Sequence, residues 1–154
     1  MPASQPRSLP FPCRQPISRR ETSTADNSMS PEEAMERINT TLAHAWMVRN
    51  FLKHADEVQD DEEMLEVHRM IFDYIRAVEP SYQRKDAKEY LHRAEGKLAK
   101  LRRVAEYFAR DYQRISTHTN FEMAARSLSG CVLEIERTLS TIRNAPGTAS
   151  EGQQ

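Results

Sequence analysis

The sequence predicts an all-α protein: an up-down-up-down antiparallel four-helix bundle with a long hairpin between its third and fourth helices. Three observations carry this. Apolar residues recur at spacings of three and four in four separate stretches. Gly totals 4 and Pro 8 in 154 residues, and Pro2, Pro6, Pro10, Pro12 and Pro16 sit together near the start, so the remainder is almost free of breakers. The stretches are joined by short polar segments, which force neighbouring helices to run antiparallel. No strand-like alternation and no repeat of solenoid length is present.

The length suits one domain. Residues 1–29 are rich in Pro, Ser, Thr and Arg, cannot build a core, and are expected to be a disordered tail. Residues 30–144 are the expected bundle domain, and 145–154 a disordered polar C-terminal tail. Met29, directly before the helical signal, is a candidate second start site.

Ser30-Pro31-Glu32-Glu33 is a helix start. Ser30 caps, Pro31 suits the first position and Glu33 completes a capping box. The first helix is predicted to run to about Glu57, with Met35, Ile38, Leu42, Ala45 and Leu52 on one face and Trp46 and Val48 beside it. Asp60 or Asp61 caps the second, whose face is read as Met64, His68, Ile71, Ile75 and Val78 and which Pro80 should end. Asp86 and Glu89 open the third. Its seam is Ala87, Leu91, Ala94, Leu98, Leu101, Ala105, Phe108, Tyr112 and Ile115, a heptad pattern that asks for a coiled-coil-like partner. Thr119 and Glu122 open the fourth, with Phe121, Ala125, Leu128, Val132, Ile135, Leu139 and Ile142 inward. Asn144-Ala145-Pro146-Gly147 stops it.

At ~1.5 Å per residue the third helix would be about 46 Å long and the second only about 28 Å. Either the segment 79–85 climbs back along the bundle, or the hairpin projects past the first two helices; in the second case Phe108, Tyr112, Ile115 and Phe121 lose part of their cover unless the first helix supplies it, and they are the expected contact region for a protein partner or for self-association. The sequence therefore reads first as a non-enzymatic interaction or assembly module.

Net charge is −1, which favours neither nucleic acid nor an acidic membrane as partner. There is no apolar run of membrane length and no apolar segment of a secretory signal after the start. The first 20 residues carry Arg and no acid, as transit peptides do, but their prolines oppose a targeting helix. Cys13 and Cys131 form no disulfide or metal framework. A cytoplasmic location and no cofactor are expected, and no motif specifies a small-molecule ligand.

Two rival readings rest on single residues. The string Arg49-Asn50-Phe51-Leu52-Lys53-His54 resembles the motif of HEPN domains, all-helical bundles that often act as ribonucleases or toxins. The resemblance implies an RNA-cleaving or nucleotide-binding domain in which Arg49 and His54 activate a ribose–phosphate group without metal. Read from the residues themselves, Arg49 falls inside the apolar stripe between Ala45 and Leu52. A charge there requires a carboxylate or a place at the bundle edge. His54 lies about 140° from Arg49 around a straight helix at ~100° per residue.

The second rival is a metal-binding bundle using His68 or His92. Glu89-Tyr90-Leu91-His92 has the spacing used in di-iron bundles, but a second such pair is missing. His68 replaces an apolar residue between Met64 and Ile71, where a hydrogen-bonded core histidine is the plainer expectation. The basic residues Arg93, Lys97, Lys100, Arg102 and Arg103 read as a solvated face with ion pairs. Ser116–Asn120 reads as turn and cap chemistry.

Overall fold

The computed structural model describes residues 28–146. Almost all of both expected tails lies outside them. The described chain is all-helical, with five helices and no strand: α1 (Pro31–His54), α2 (Asp56–Gln59), α3 (Glu62–Gln83), α4 (Ala87–Ile115) and α5 (Thr119–Arg143). No helix among the described residues is long and apolar enough to cross a membrane.

α1 begins at the expected capping box. The Ser30 hydroxyl accepts from the Glu33 amide at 3.1 Å, and the Glu33 carboxylate accepts from the Ser30 amide at 2.8 Å. The helix ends three residues earlier than the sequence predicts, because Ala55 is extended (ψ 120°) and starts the single turn α2. Continued without a break, α1 would carry Val58 about 240° round the axis from Leu52, away from the core. The break turns Val58 inward, and it and Ala55 are buried. The Gln59 amide donates to the carbonyls of Lys53 and Ala55, which the break leaves open.

Asp61 caps α3 by accepting from the Met64 amide at 2.9 Å. Pro80 does not end this helix, contrary to expectation; α3 continues to Gln83. Proline removes only its own N–H, and its fixed φ is compatible with a helix. What continues the helix is packing: Ser81 is buried and Tyr82 lies against the core. The stop comes at Lys85, whose φ of 55° places it in the left-handed region. The Asp86 amide reaches back to the Ser81 carbonyl and the Lys85 amide to that of Tyr82, a Schellman stop built on lysine where glycine is usual.

The inward face of α3 is Met64, Val67, Ile71, Tyr74, Val78 and Ser81. The expected His68 and Ile75 are only half-buried. Tyr74/Ile75 offers an apolar residue to either register, whereas Val67/His68 offers one only to the register with Val67 inward, and the structure uses that register. The α4 and α5 seams are buried as expected from Ala87 to Phe108 and from Phe121 to Leu139. Tyr90 joins the first, while Ala124, Cys131 and Thr138 join the second. The cap of α5 is His118, one residue before the expected Thr119. Its Nδ1 accepts from the Asn120 amide at 3.2 Å.

Side-chain ties fix the relative directions of the long helices. Arg37 pairs with Glu134 at 2.6 Å, and Phe51 meets Phe121 with ring centroids 5.0 Å apart, so α1 and α5 run antiparallel. Tyr107 donates to Glu63 at 2.8 Å and Tyr74 to the Ala94 carbonyl at 2.9 Å, so α3 and α4 do too. Arg102–Glu136 and Arg143–Glu95 do the same for α4 and α5. Tyr82 donates to Glu36 at one end of α1 and α3, and Arg49 meets Phe72 further along.

These registers account for the length mismatch. α1 reaches as far as the α4–α5 turn, where Phe51 covers Phe121. Phe108 and Phe121 are buried, and Tyr112 and Ile115 are partly covered. α1 is long enough to shield Phe108 and Phe121, while Tyr112 and Ile115 keep part of their exposure.

Candidate functional site on the α1–α3 face

Where the middle of α1 crosses α3, Trp46, Arg49 and Phe72 form a stack. The guanidinium carbon of Arg49 lies 4.7 Å from the Trp46 ring centroid and 5.0 Å from that of Phe72. The two rings are 6.4 Å apart. Trp46 and Arg49 are three residues apart on α1 and so share a face, and Phe72 comes from the neighbouring helix. The arrangement satisfies Arg49 through ring quadrupoles. Of the two expected solutions, a carboxylate or a place at the bundle edge, Arg49 takes the second, and it makes no ion pair among the described residues. Arg49 lies half-buried at the edge of the packed interior, its Nη1 donates to Asn50 Oδ1 at 3.0 Å, and its buried Nε has no hydrogen-bond partner.

His68 stands one helical turn from Phe72, and Lys53 one turn from Arg49. Burial holds the His68 imidazole below its ordinary pKa, with the positive charges of Arg49, Arg69 and Lys53 acting in the same direction and Glu66 opposing. Among the described residues no group of three His, Cys, Asp or Glu side chains could hold a metal. His92 is exposed on α4, and its neighbour Glu89 pairs with Arg93.

Arg49 and His54, which the HEPN-like string joins, are not brought together. Arg49 is engaged by the aromatic stack, while His54 is the exposed last residue of α1. No hydrogen bond or ion pair connects them among the described residues.

Outside the core stripe, α1 carries further apolar side chains. Trp46 is 36% exposed and Met47 66%. Met123 and Leu133 are exposed on α5. Apolar residues are spread around α1, whereas α3, α4 and α5 each keep most of theirs on one stripe. The sequence reading placed Trp46 beside the stripe and did not single it out. The signal available was the adjacent Trp46-Met47 pair, both outside the three–four register.

A groove of about 630 Å³ lies between the start of α3 and the end of α4. Val104 and Tyr107 lie among Glu62, Glu63, Glu66 and Arg103 there. The Tyr107 hydroxyl donates to Glu63 and accepts from Arg114 at 2.9 Å, and Arg114 also pairs with Asp61 at 2.6 Å. These polar groups satisfy one another. The basic residues of α4 behave partly as expected: Arg93 and Arg102 are paired, and Lys97 and Lys100 are exposed beside Asp73 at a small hollow.

No protein-family model, no curated protein and no solved structure matches the chain.

Proposed function

We propose that the chain is an up-down-up-down four-helix bundle that works without catalysis, as an interaction or assembly module in the cytoplasm. The observation that carries this is the outward pair Trp46 and Met47 on α1, beside the stacked Arg49. Trp, Met and Arg are the residue types most enriched at protein interfaces, and Trp and Arg dominate their hot spots. Ten ion pairs tie charged side chains to one another elsewhere on the described residues. The antiparallel ties between consecutive long helices support the bundle architecture. The contact face moves from the α4–α5 tip to α1, because Phe108 and Phe121 are buried.

Native mass spectrometry of the full chain purified from its source tests this. A complex with a second copy or with another protein is expected. Met47→Glu, which puts a charge into the contact while leaving the core intact, reduces it to the monomer. A lone wild-type monomer, or a complex that survives Met47→Glu together with Trp46→Ser, contradicts the reading.

A further inference from the structure

We propose that the Arg49 guanidinium, held against Trp46 and Phe72 and flanked by Asn50, Lys53 and His68, anchors a binding site for a phosphate-class oxyanion. The site goes beyond the interaction module and stands whether or not the Trp46–Met47 face docks a protein.

The starting point is a charge imbalance. Arg49, Lys53 and Arg69 make no ion pair among the described residues, although ten others are formed elsewhere on the same molecule. A partly desolvated guanidinium without a carboxylate is costly to keep. The rings offset part of that cost, but their centroids are 6.4 Å apart, too close to lie on opposite sides of the guanidinium, so they cover one side of it and leave the other open. Nε is unpartnered but buried, so the donors that can face an anion are Nη2 and the remaining N–H of Nη1. Asn50 accepts from Arg49 through its carbonyl oxygen, which leaves its amide N–H groups to donate.

The second point is preorganisation. A free arginine loses rotamer freedom when it grasps an oxyanion. Here the aromatic stack has already fixed the side chain, so less is lost per hydrogen bond formed. A planar fork with parallel N–H groups matches two phosphate oxygens. Lys53 supplies a mobile point charge one turn along the same helix, and His68 a second ring donor when protonated. Glu66 is the single acid among the groups that influence His68.

The test uses Trp46, the only tryptophan in the chain and part of the site itself. The full chain is titrated at constant ionic strength with inorganic phosphate, with glycerol 3-phosphate and with sulfate, while its emission is followed. A saturable change with phosphate in the millimolar range or below is expected. Tighter binding of glycerol 3-phosphate identifies a phosphomonoester as the ligand, and tighter inorganic phosphate the free ion. Arg49→Lys keeps the charge and loses the fork, and weakens binding at least about tenfold. Lys53→Gln lies on an exposed position that the fold does not need, and weakens it about threefold. In wild-type protein the ¹⁵N signal of Arg49 Nε moves on adding phosphate. The proposal is overturned if neither phosphate compound gives a saturable change, if sulfate and chloride reproduce it equally, or if both variants bind as the wild type does.

Discussion

Arg49 and Phe72 meet across the α1–α3 interface with the guanidinium carbon 5.0 Å from the ring centroid, and no carboxylate takes part. The contact joins two helices by a cation and a ring where the sequence allows either an ion pair or a place at the bundle edge. A double-mutant cycle with Arg49→Gln and Phe72→Leu, followed by urea unfolding, gives a coupling of about 0.5–1 kcal/mol. Purely additive losses would mean that the stack is adjacency without attraction.

Tyr74 and Tyr90 are both buried but differ in one atom's fate. The Tyr74 hydroxyl donates to the Ala94 carbonyl at 2.9 Å, and that of Tyr90 has no partner. Burial pushes both phenols far above their ordinary range, so neither ionises under physiological conditions. Tyr74→Phe should cost about 1 kcal/mol, whereas Tyr90→Phe should be neutral or stabilising by up to about 1 kcal/mol. Thermal melts of the two variants side by side decide it, and equal losses would contradict the difference.

Asp61 performs two tasks. It caps α3 and pairs with Arg114 near the end of α4. The Arg114 hydrogen bond, then the Met64 amide, hold its carboxyl below the ordinary range, against a small opposing effect of burial. A carboxyl lowered in the folded state adds stability that is fully present above its unfolded pKa of about 4, and that is lost as pH falls through the folded value. Asp61→Asn keeps a cap and should flatten this acid limb, while Asp61→Ala should also cost about 1 kcal/mol at neutral pH. An acid limb unchanged in Asp61→Asn would assign the pH dependence to other carboxylates.

Pro80 sits inside α3 without its N–H, three residues before the end. Pro80→Ala restores the missing bond and should raise stability by about 1–2 kcal/mol, less the stiffening that proline gives the unfolded chain. Urea midpoints measure this. A loss of stability would mean that the ring itself packs.

Much of the fold was legible because it rests on local rules. Ser30, Asp61 and Asp86 cap where their side chains can reach an amide three residues on. The seams of α4 and α5 follow heptads too regular to misread. The failures came where two registers compete or where packing overrides propensity. Tyr74 beside Ile75 allows either face of α3. Ser81 and Tyr82 carry the helix past Pro80, and Val58 breaks α1 to enter the core. The Trp46–Arg49–Phe72 stack joins residues 23 or more positions apart along the chain and depends on how α1 and α3 slide past each other, which one-dimensional spacing does not specify. The string of Arg49 and His54 was visible because it is local; in the structure Arg49 is half-buried against two rings and His54 is exposed at the end of α1.

Photo-cross-linking from the outward face of α1 tests the central claim most directly. A photoreactive residue replaces Met47 in the full chain, and in a second version Ser129, exposed on α5. Both are irradiated in the cells that make the protein. A discrete adduct from position 47, to a second copy or to one partner, with little or none from position 129, is the predicted result. Equal labelling from both positions, or no adduct from position 47, would contradict an interaction face on α1.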